Sequence, residues 1–393
     1  MPKGFSFKDT FTPIQRKESL IGLLGIKDIE KFESLLRDGV ENAYYIKPPI
    51  KKKNGGERIV YAPNRMLKSI LRKINNRIFN QINFPDYLYG SIPDKENPRD
   101  YILCAHQHCK AKILIKLDIE NFFPTMKTKF VFNIFKDLFK FSDEVSNILT
   151  KLTTYDGFVP QGAPTSTYLA NLYFYDCEPN KVNYLRSLGF RYTRLIDDIT
   201  VSRLKKEGDW KFVETIISEF ITQKELSVNK DKTQLLSANS PQSFKVHGLC
   251  IEETTPRFTK NERINIKTQV KRVVKTGYNR DNIRMQKNYH DVYFSVKGKI
   301  TKLKRVNCPD YPLLKKLLAK HCDPLPEHKE IKRINRVISN LSKDHATFGS
   351  TERYRSRYFQ VIFRLEILKK LYPVEANEFK ARLKLISPIK NEN

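Results

Sequence analysis

Residues 111–123 read AKILIKLDIENFF, and residues 189–203 read GFRYTRLIDDITVSR. In the first stretch, four of the five residues before Asp118 are apolar, which is typical of a buried strand that ends in an acid. In the second stretch, two segments rich in strand-forming residues flank Asp197 and Asp198, which predicts a strand, a turn and a strand. These two stretches predict a sheet that carries three carboxylates at its edge.

The three acids have two interpretations on residue chemistry alone. Asp is common in turns, so each acid could simply shape the backbone. However, a charge at the end of a buried strand is costly unless it is paired or bound to metal. Nucleotidyl transfer uses two metal ions about 3.5–4 Å apart, and Mg²⁺ prefers carboxylate and phosphate oxygens. A metal-dependent polymerase therefore requires this kind of acid cluster.

The flanking segments predict a mixed chain. Short helices are expected over residues 15–40, and residues 44–64 contain two extended stretches around the hairpin signal Asn54-Gly55-Gly56. Helical periodicity returns over residues 65–82, and another helix follows the Pro160-Gln161-Gly162 loop. Beyond Pro256, strand signals give way to basic helices.

Charge separates this chain from most globular enzymes. The net charge is +29, and residues 256–393 hold 33 Lys and Arg against 13 Asp and Glu. A surface this basic favours a polyanionic partner, most commonly nucleic acid. There is no apolar run of 18 residues and no apolar segment near the N-terminus, so we expect a cytoplasmic protein without a membrane span.

A cysteine- and histidine-rich segment raises the alternative of a zinc site. Cys104, His106, His108 and Cys109 lie within CAHQHCKAK. Their spacing does not match that of zinc fingers or knuckles, so ordinary packing is favoured.

Five motifs occur in an informative order: LDIENFFPTM (117–126), GFVPQGAPTSTYLANLY (157–173), YTRLIDDITVS (192–202), NKDKT (229–233) and HGL (247–249). With them, the sequence resembles the reverse transcriptases, specifically the bacterial retron and retron-like defence enzymes. The resemblance covers about residues 40–310.

The resemblance implies an α+β right-hand polymerase fold with fingers, an RRM-like palm built on an antiparallel sheet, and a helical thumb. We expect an N-terminal helical extension over 1–40, fingers over 41–110, and a palm over 111–255 with a fingers insertion at about 130–160. Residues 256–393 are expected to form the basic helical thumb and C-terminal extension.

The resemblance also implies roles for individual residues. Asp118, Asp197 and Asp198, with the backbone carbonyl of Ile119, would hold two Mg²⁺ ions, or Mn²⁺ in their place. Phe123 matches the steric gate that excludes a ribose 2′-OH. The remaining nucleotide-binding residues would be Arg58, Lys51, Gln161, Gly162 and Lys232, and Lys52 or Lys53 could replace Lys51.

Three departures from the family pattern concern the subfamily. Leu195-Ile196 stands where an aromatic residue and Ala usually precede the paired acids. The retron segment NAxxH is half kept in residues 104–108, and VTG appears as Val246-His247-Gly248. Polymerase chemistry is therefore better supported than strict retron membership.

Residues 256–393 would bind a template–primer duplex by contacting the phosphate backbone of the nucleic acid. Arg353, Arg355 and Arg357 are candidates for nucleic-acid binding, whereas the interleaved Tyr358, Ile362 and Leu365 favour a core position.

The implied function is an RNA-directed DNA polymerase that uses dNTPs on a dedicated structured non-coding RNA and forms an RNA–DNA duplex, in bacterial anti-phage defence. An effector protein and an oligomer are compatible with it. Two alternatives stay open at this point. One is a catalytically reduced polymerase fold that serves as an RNA-binding scaffold, although it would have little reason to keep three acids. The other is an RNA-templated RNA polymerase, which Phe123 argues against.

Overall fold

A computed structural model describes residues 4–51, 56–94, 98–237, 240, 242–319, 322–327 and 329–389. The chain divides into two compact units, Met1–Pro256 and Arg257–Asn393. The predicted subdivision into fingers, palm and thumb within these units stays a prediction.

The first unit mixes strands and helices. Its strands are β1 (Ser6–Phe7), β2 (Tyr44–Lys51), β3 (Glu57–Pro63), β4 (Ile82–Asn83), β5 (Leu88–Tyr89), β6 (Ile113–Asp118), β7 (Arg191–Leu195), β8 (Asp198–Arg203), β9 (Gln234–Ser237), β10 (Lys245–Val246) and β11 (Leu249–Cys250). Its helices are α1 (Lys17–Leu24), α2 (Ile29–Arg37), α3 (Arg65–Arg77), α4 (Tyr101–His106), α5 (Phe122–Thr125), α6 (Thr128–Asn133), α7 (Asp143–Thr153), α8 (Ser166–Leu172), α9 (Glu178–Ser187) and α10 (Trp210–Gln223). A π-helical turn follows α6 at Ile134–Leu138, and 3-10 turns lie at Val40–Ala43, Phe79–Gln81 and Lys230–Lys232.

The second unit is almost entirely helical in its described residues. After the short strand β12 (Arg257–Phe258) come α11 (Lys260–Gly277), α12 (Asp281–Arg284), α13 (Lys287–Arg305), α14 (Tyr311–Ala319), α15 (Glu330–Phe348), α16 (Glu352–Leu368) and α17 (Pro373–Leu385). The sequence correctly predicted this change from strands to basic helices.

The central sheet has the strand order β5-β7-β8-β6-β9. Strands β7, β8, β6 and β9 pair antiparallel, and only the two-residue edge strand β5 runs parallel to its neighbour among the described pairings. Strand β6 is central, and its apolar residues are buried. Four of the five residues before Asp118 are apolar, and Lys116, which is half-buried, interrupts the run.

A second feature of the first unit is the antiparallel hairpin of β2 and β3, which is followed by α3. Asn64 caps α3 by accepting a hydrogen bond from the Leu67 N–H at 2.9 Å. The helix buries Leu67, Ile70, Leu71 and Ile74, which share one face at helical spacing. Asn54 and Gly55 of the predicted hairpin turn lie outside the described residues, as do Lys52 and Lys53.

Separate apolar cores stabilise the two units. The large core of the first unit joins α3, α7 and α8 to the inner residues of β6 and β8. In the second unit, α15, α16 and α17 share a core that includes Ile338, Tyr354, Val361 and Phe379. Within the part of the chain that the structure describes, no helix is long and apolar enough to cross a membrane.

Candidate active site

The sheet brings the predicted acids together. Asp118 is the last residue of β6, Asp198 is the first residue of β8, and the two are paired in the register of the sheet. Asp197 lies in the turn just before β8, and its carbonyl accepts a hydrogen bond from the Ile119 N–H at 3.1 Å. The Asp118 side chain is 13% exposed and that of Asp198 is 51% exposed. The three carboxylates therefore lie at one end of two adjacent strands, open to solvent on one side.

The turn that carries Asp197 is strained. Leu195 pairs with Asp198, so only Ile196 and Asp197 connect β7 to β8. Such two-residue hairpins favour positive φ and are usually built with Gly, Asn or Asp. Ile196 has φ of 60°, a conformation that a β-branched residue rarely adopts. Strain of this kind is typical of functional sites and persists only where surrounding contacts enforce it.

Arg194 supplies those contacts from a fully buried position. Its guanidinium donates to the carbonyls of Ile196, Ala170 and Asn171, each at 3.0 Å. It also forms a bidentate ion pair with the buried Glu178, at 2.7 and 2.8 Å. All five N–H groups of the guanidinium are thus used. Sequence reasoning missed this pair, because the mixed composition of β7, RYTRL, gives no clear signal of a buried charge.

Burial and mutual repulsion shape the electrostatics of the acids. Burial and the neighbouring Asp118 raise the pKa of Asp197, against the opposing charges of Lys232 and Arg58. Burial, followed by the charges of Asp197 and Asp118, raises the pKa of Asp198 to about 7. Carboxylates held close together resist full ionisation, and a cation between them relieves this repulsion. The cluster is therefore electrostatically suited to bind positive charge.

Lys232 supplies one such charge. Its Nζ lies 2.8 Å from Oδ2 of Asp118, and this hydrogen bond raises the pKa of Lys232. Within the described ranges, no three His, Cys, Asp or Glu side chains are arranged to hold a metal ion as they stand. The donor set nevertheless fits Mg²⁺, which takes hard carboxylate oxygens.

The loop before α8 contacts the β2–β3 hairpin. The Tyr61 N–H donates to the carbonyl of Gln161 at 2.8 Å. Gly162 has φ of 116°, and a Cβ there would lie 2.8 Å from Cγ1 of Val60 and 2.9 Å from the carbonyl oxygen of Tyr61. Only glycine fits at this contact. The arrangement joins the loop of Gln161 and Gly162 to the hairpin that carries Arg58.

The comparisons with known proteins agree with this geometry. Residues 50–272 match the family model described as reverse transcriptase (RNA-dependent DNA polymerase). The chain is 30% identical over 399 aligned residues to the Retron Ec48 reverse transcriptase of Escherichia coli, covering 99% of this chain and 97% of that protein. It is 35% identical to the Retron Se72 reverse transcriptase of Salmonella heidelberg, covering 83% of this chain and 90% of that protein.

The chain belongs to the retron reverse transcriptases.

The predicted α+β reverse-transcriptase fold and the predicted RNA-directed DNA polymerase activity are thereby confirmed. Among solved structures, apo telomerase from Candida Tropicalis aligns over 95% of this chain and 73% of that chain, with a TM-score of 0.44 and 12% identity. That similarity is too remote to support a functional conclusion. Reverse transcriptases generally use divalent metal ions, which matches the carboxylate chemistry of this site.

The other nucleotide contacts predicted for this reverse transcriptase lie on the β2–β3 hairpin, after β6, in the loop before α8 and before β9. Arg58 and Lys51 are exposed on the hairpin, and Arg58 is close enough to lower the pKa of Asp197. Phe123 is partly buried, and its ring centroid lies 5.9 Å from that of Phe122. The structure does not test the predicted roles of Arg58, Lys51, Phe123, Gln161, Gly162 or Lys232.

A buried hydrogen-bonded chain lies behind the acids. His108 is fully buried, its Nδ1 lies 2.7 Å from the Ser202 hydroxyl, and its Nε2 lies 2.8 Å from the Thr193 hydroxyl. Burial lowers the pKa of His108 to about 3, so the ring is neutral. Cys104 packs against the same threonine. Both ring nitrogens of His108 are therefore engaged by hydroxyls.

The predicted RNA-binding arginines lie on α16. Arg353 and Arg355 are exposed, and Arg355 lies over the Phe359 ring at 5.9 Å. Arg357 forms an ion pair with Asp344 at 2.7 Å. Tyr358 and Leu365 are buried and Ile362 packs against the same core, as the sequence predicted. Nucleic-acid binding by the three arginines stays a prediction.

Proposed function

We propose that this reverse transcriptase joins dNTPs by two-metal nucleotidyl transfer, with Asp118, Asp197 and Asp198 as the metal-holding carboxylates. The observation that carries the proposal is the meeting of three acids from two paired strands, with the pKa of Asp197 and Asp198 raised by burial and mutual repulsion. The carbonyl of Ile119 would complete the metal-binding set. Two Mg²⁺ ions, or Mn²⁺, would polarise the attacking and leaving oxygens when bound.

The remaining residues have roles that follow from their chemistry. The fork-shaped guanidinium of Arg58 suits the triphosphate, with Lys51 beside it on the hairpin. Gln161 and Gly162 would contact the incoming nucleotide, and the bulk of Phe123 would exclude a 2′-OH. The ammonium group of Lys232 lies 2.8 Å from Asp118, beside the proposed metal site, and would give a proton to the leaving pyrophosphate.

We further propose that the template is a dedicated structured non-coding RNA and that synthesis yields an RNA–DNA duplex. The excess positive charge of residues 256–393 supports this RNA partner. The similarity to retron reverse transcriptases supports a role in bacterial anti-phage defence, together with an effector protein.

The test is the double variant Asp197→Ala with Asp198→Ala. We expect dNTP incorporation to fall below detection because the carboxylates are lost, while the RNA that copurifies with the protein is unchanged on sequencing. Asp231→Ala is the matched control, since Asp231 is an exposed acid next to Lys232, and it should synthesise DNA like the wild type. DNA synthesis at the wild-type rate by the double variant would refute the metal assignment.

A further inference from the structure

The turn between β10 and β11 carries a histidine. Val246 pairs with Leu249, so His247 and Gly248 form a two-residue turn in which both have positive φ, 49° and 83°. Asn-Gly is the common choice for such turns. Asn, Asp and His all tolerate positive φ, so the turn alone does not require a histidine at position 247, and its ring is free to serve the site.

The Nδ1 edge of the His247 ring points to the acid cluster. Its Nδ1 lies 3.7 Å from Oδ2 of Asp198, and the side chain is only 11% exposed. This separation exceeds that of a direct hydrogen bond, but contacts in active sites without substrate are often long and shorten when the complex forms. Lys232, the cation that lies beside these acids, pairs with Asp118 instead. His247 therefore approaches the carboxylate that Lys232 leaves uncovered.

The second ring nitrogen, Nε2, contacts Cys104. Nε2 of His247 lies 3.3 Å from Sγ of Cys104, and that sulfur lies 3.2 Å from the Thr193 hydroxyl. Thr193 in turn contacts the buried His108. The thiol has one proton, so it donates to Nε2 of His247 only where the Thr193 hydroxyl donates to the sulfur; the single proton of the neutral imidazole then lies on Nδ1, facing Asp198. The two segments that half keep the retron hallmarks thus meet behind the catalytic turn.

We infer that His247 is a positioning residue that orients the Asp198 carboxylate for metal binding through its Nδ1–H, with Cys104 fixing the tautomer. The inference rests on the proposed metal site. Groups that hydrogen-bond a metal-binding carboxylate from behind fix its orientation, and their loss typically costs 10–100-fold in metal affinity or activity.

Two substitutions at position 247 distinguish the effect of the side chain from the effect of the backbone conformation. His247→Gly relieves the positive φ but removes the N–H. His247→Asn also tolerates positive φ, and its amide nitrogen occupies about the place of the imidazole Nδ1. Mn²⁺ binding to the full-length protein is measured by electron paramagnetic resonance titration, and dNTP incorporation is followed in parallel.

We expect His247→Gly to weaken Mn²⁺ binding about tenfold and to lower kcat by a similar factor, with KM for dNTP within about twofold. His247→Asn should stay within about threefold of the wild type. Mn²⁺ binding by His247→Gly like that of the wild type, or equal losses in both variants, would overturn the inference. Failure of the wild type itself to bind Mn²⁺ would refute the proposed metal site instead.

Cys104 offers an independent test if His247→Gly does not fold, which the fluorescence of the single tryptophan, Trp210, would reveal. Cys104→Ala should weaken Mn²⁺ binding about threefold, and Cys104→Ser, which keeps a donor, should restore it. Equal Mn²⁺ affinity in Cys104→Ala and the wild type would contradict the role of the thiol.

Discussion

At the scale of single residues, the strained turn that carries Asp197 depends on Arg194. The variant Arg194→Met leaves Glu178 buried without its partner and frees the Ile196 carbonyl. Breaking a buried ion pair in this way costs about 3–5 kcal/mol. We therefore expect the urea midpoint of the first unit to fall and dNTP incorporation to be lost. Trp210 fluorescence measures the unfolding, because the only tryptophan of the chain lies in that unit, packed against Phe190 at 5.3 Å.

The control for Arg194 is Arg203→Met, at the other end of the same hairpin. Arg203 donates to the Glu207 carbonyl near the surface, and its loss should cost no more than about 1 kcal/mol. Adding Glu178→Leu to Arg194→Met removes the unpaired charge and should recover part of the stability. DNA synthesis should not return, because the Ile196 carbonyl is still unsupported. Full recovery of synthesis by the double variant would show that Arg194 acts on stability alone.

At the scale of elements, the docking of the β2–β3 hairpin depends on Gly162. In Gly162→Ala the new Cβ would clash with Val60 and the Tyr61 carbonyl, so the hairpin must shift and carry Arg58 with it. We expect KM for dNTP to rise about tenfold or more, since displacements near 1 Å can cost up to about a hundredfold. Steady-state kinetics with varied dNTP measures the effect.

Gly157→Ala is the matched control for Gly162→Ala. Gly157 also has positive φ, at 80°, but nothing lies within 4 Å of a Cβ placed there. The substitution should cost about 1–2 kcal/mol of backbone strain and leave KM unchanged. Equal KM values in the two glycine variants would mean that the hairpin contact has no part in nucleotide binding.

The elements also show how far sequence reasoning reaches. The apolar run before Asp118 and the flanks of Asp197 carry local patterns, so β6, β7 and β8 were predictable. Two contacts join segments that are far apart in the chain. His247 approaches Asp198, and Gly162 packs closely against Val60. Such contacts depend on how the sheet and its connections pack, which no local periodicity encodes. The two-residue strand β5 was equally hidden, because a strand this short has no measurable alternation.

At the scale of the whole molecule, positive charge is concentrated in residues 256–393, with 33 Lys and Arg against 13 Asp and Glu. Each arginine that contacts a phosphate steepens the dependence of RNA affinity on salt by about 0.7–0.9 in log–log slope. We predict that Arg353→Gln with Arg355→Gln lowers that slope by about 1.4–1.8, as measured by filter binding of the copurifying RNA across salt concentrations. Arg364→Gln, on the same helix, is the matched control, because Glu330 already pairs with Arg364, and it should leave the slope unchanged. An unchanged slope in the double variant would exclude both exposed arginines from the RNA contact and place the excess charge of α16 outside the binding surface.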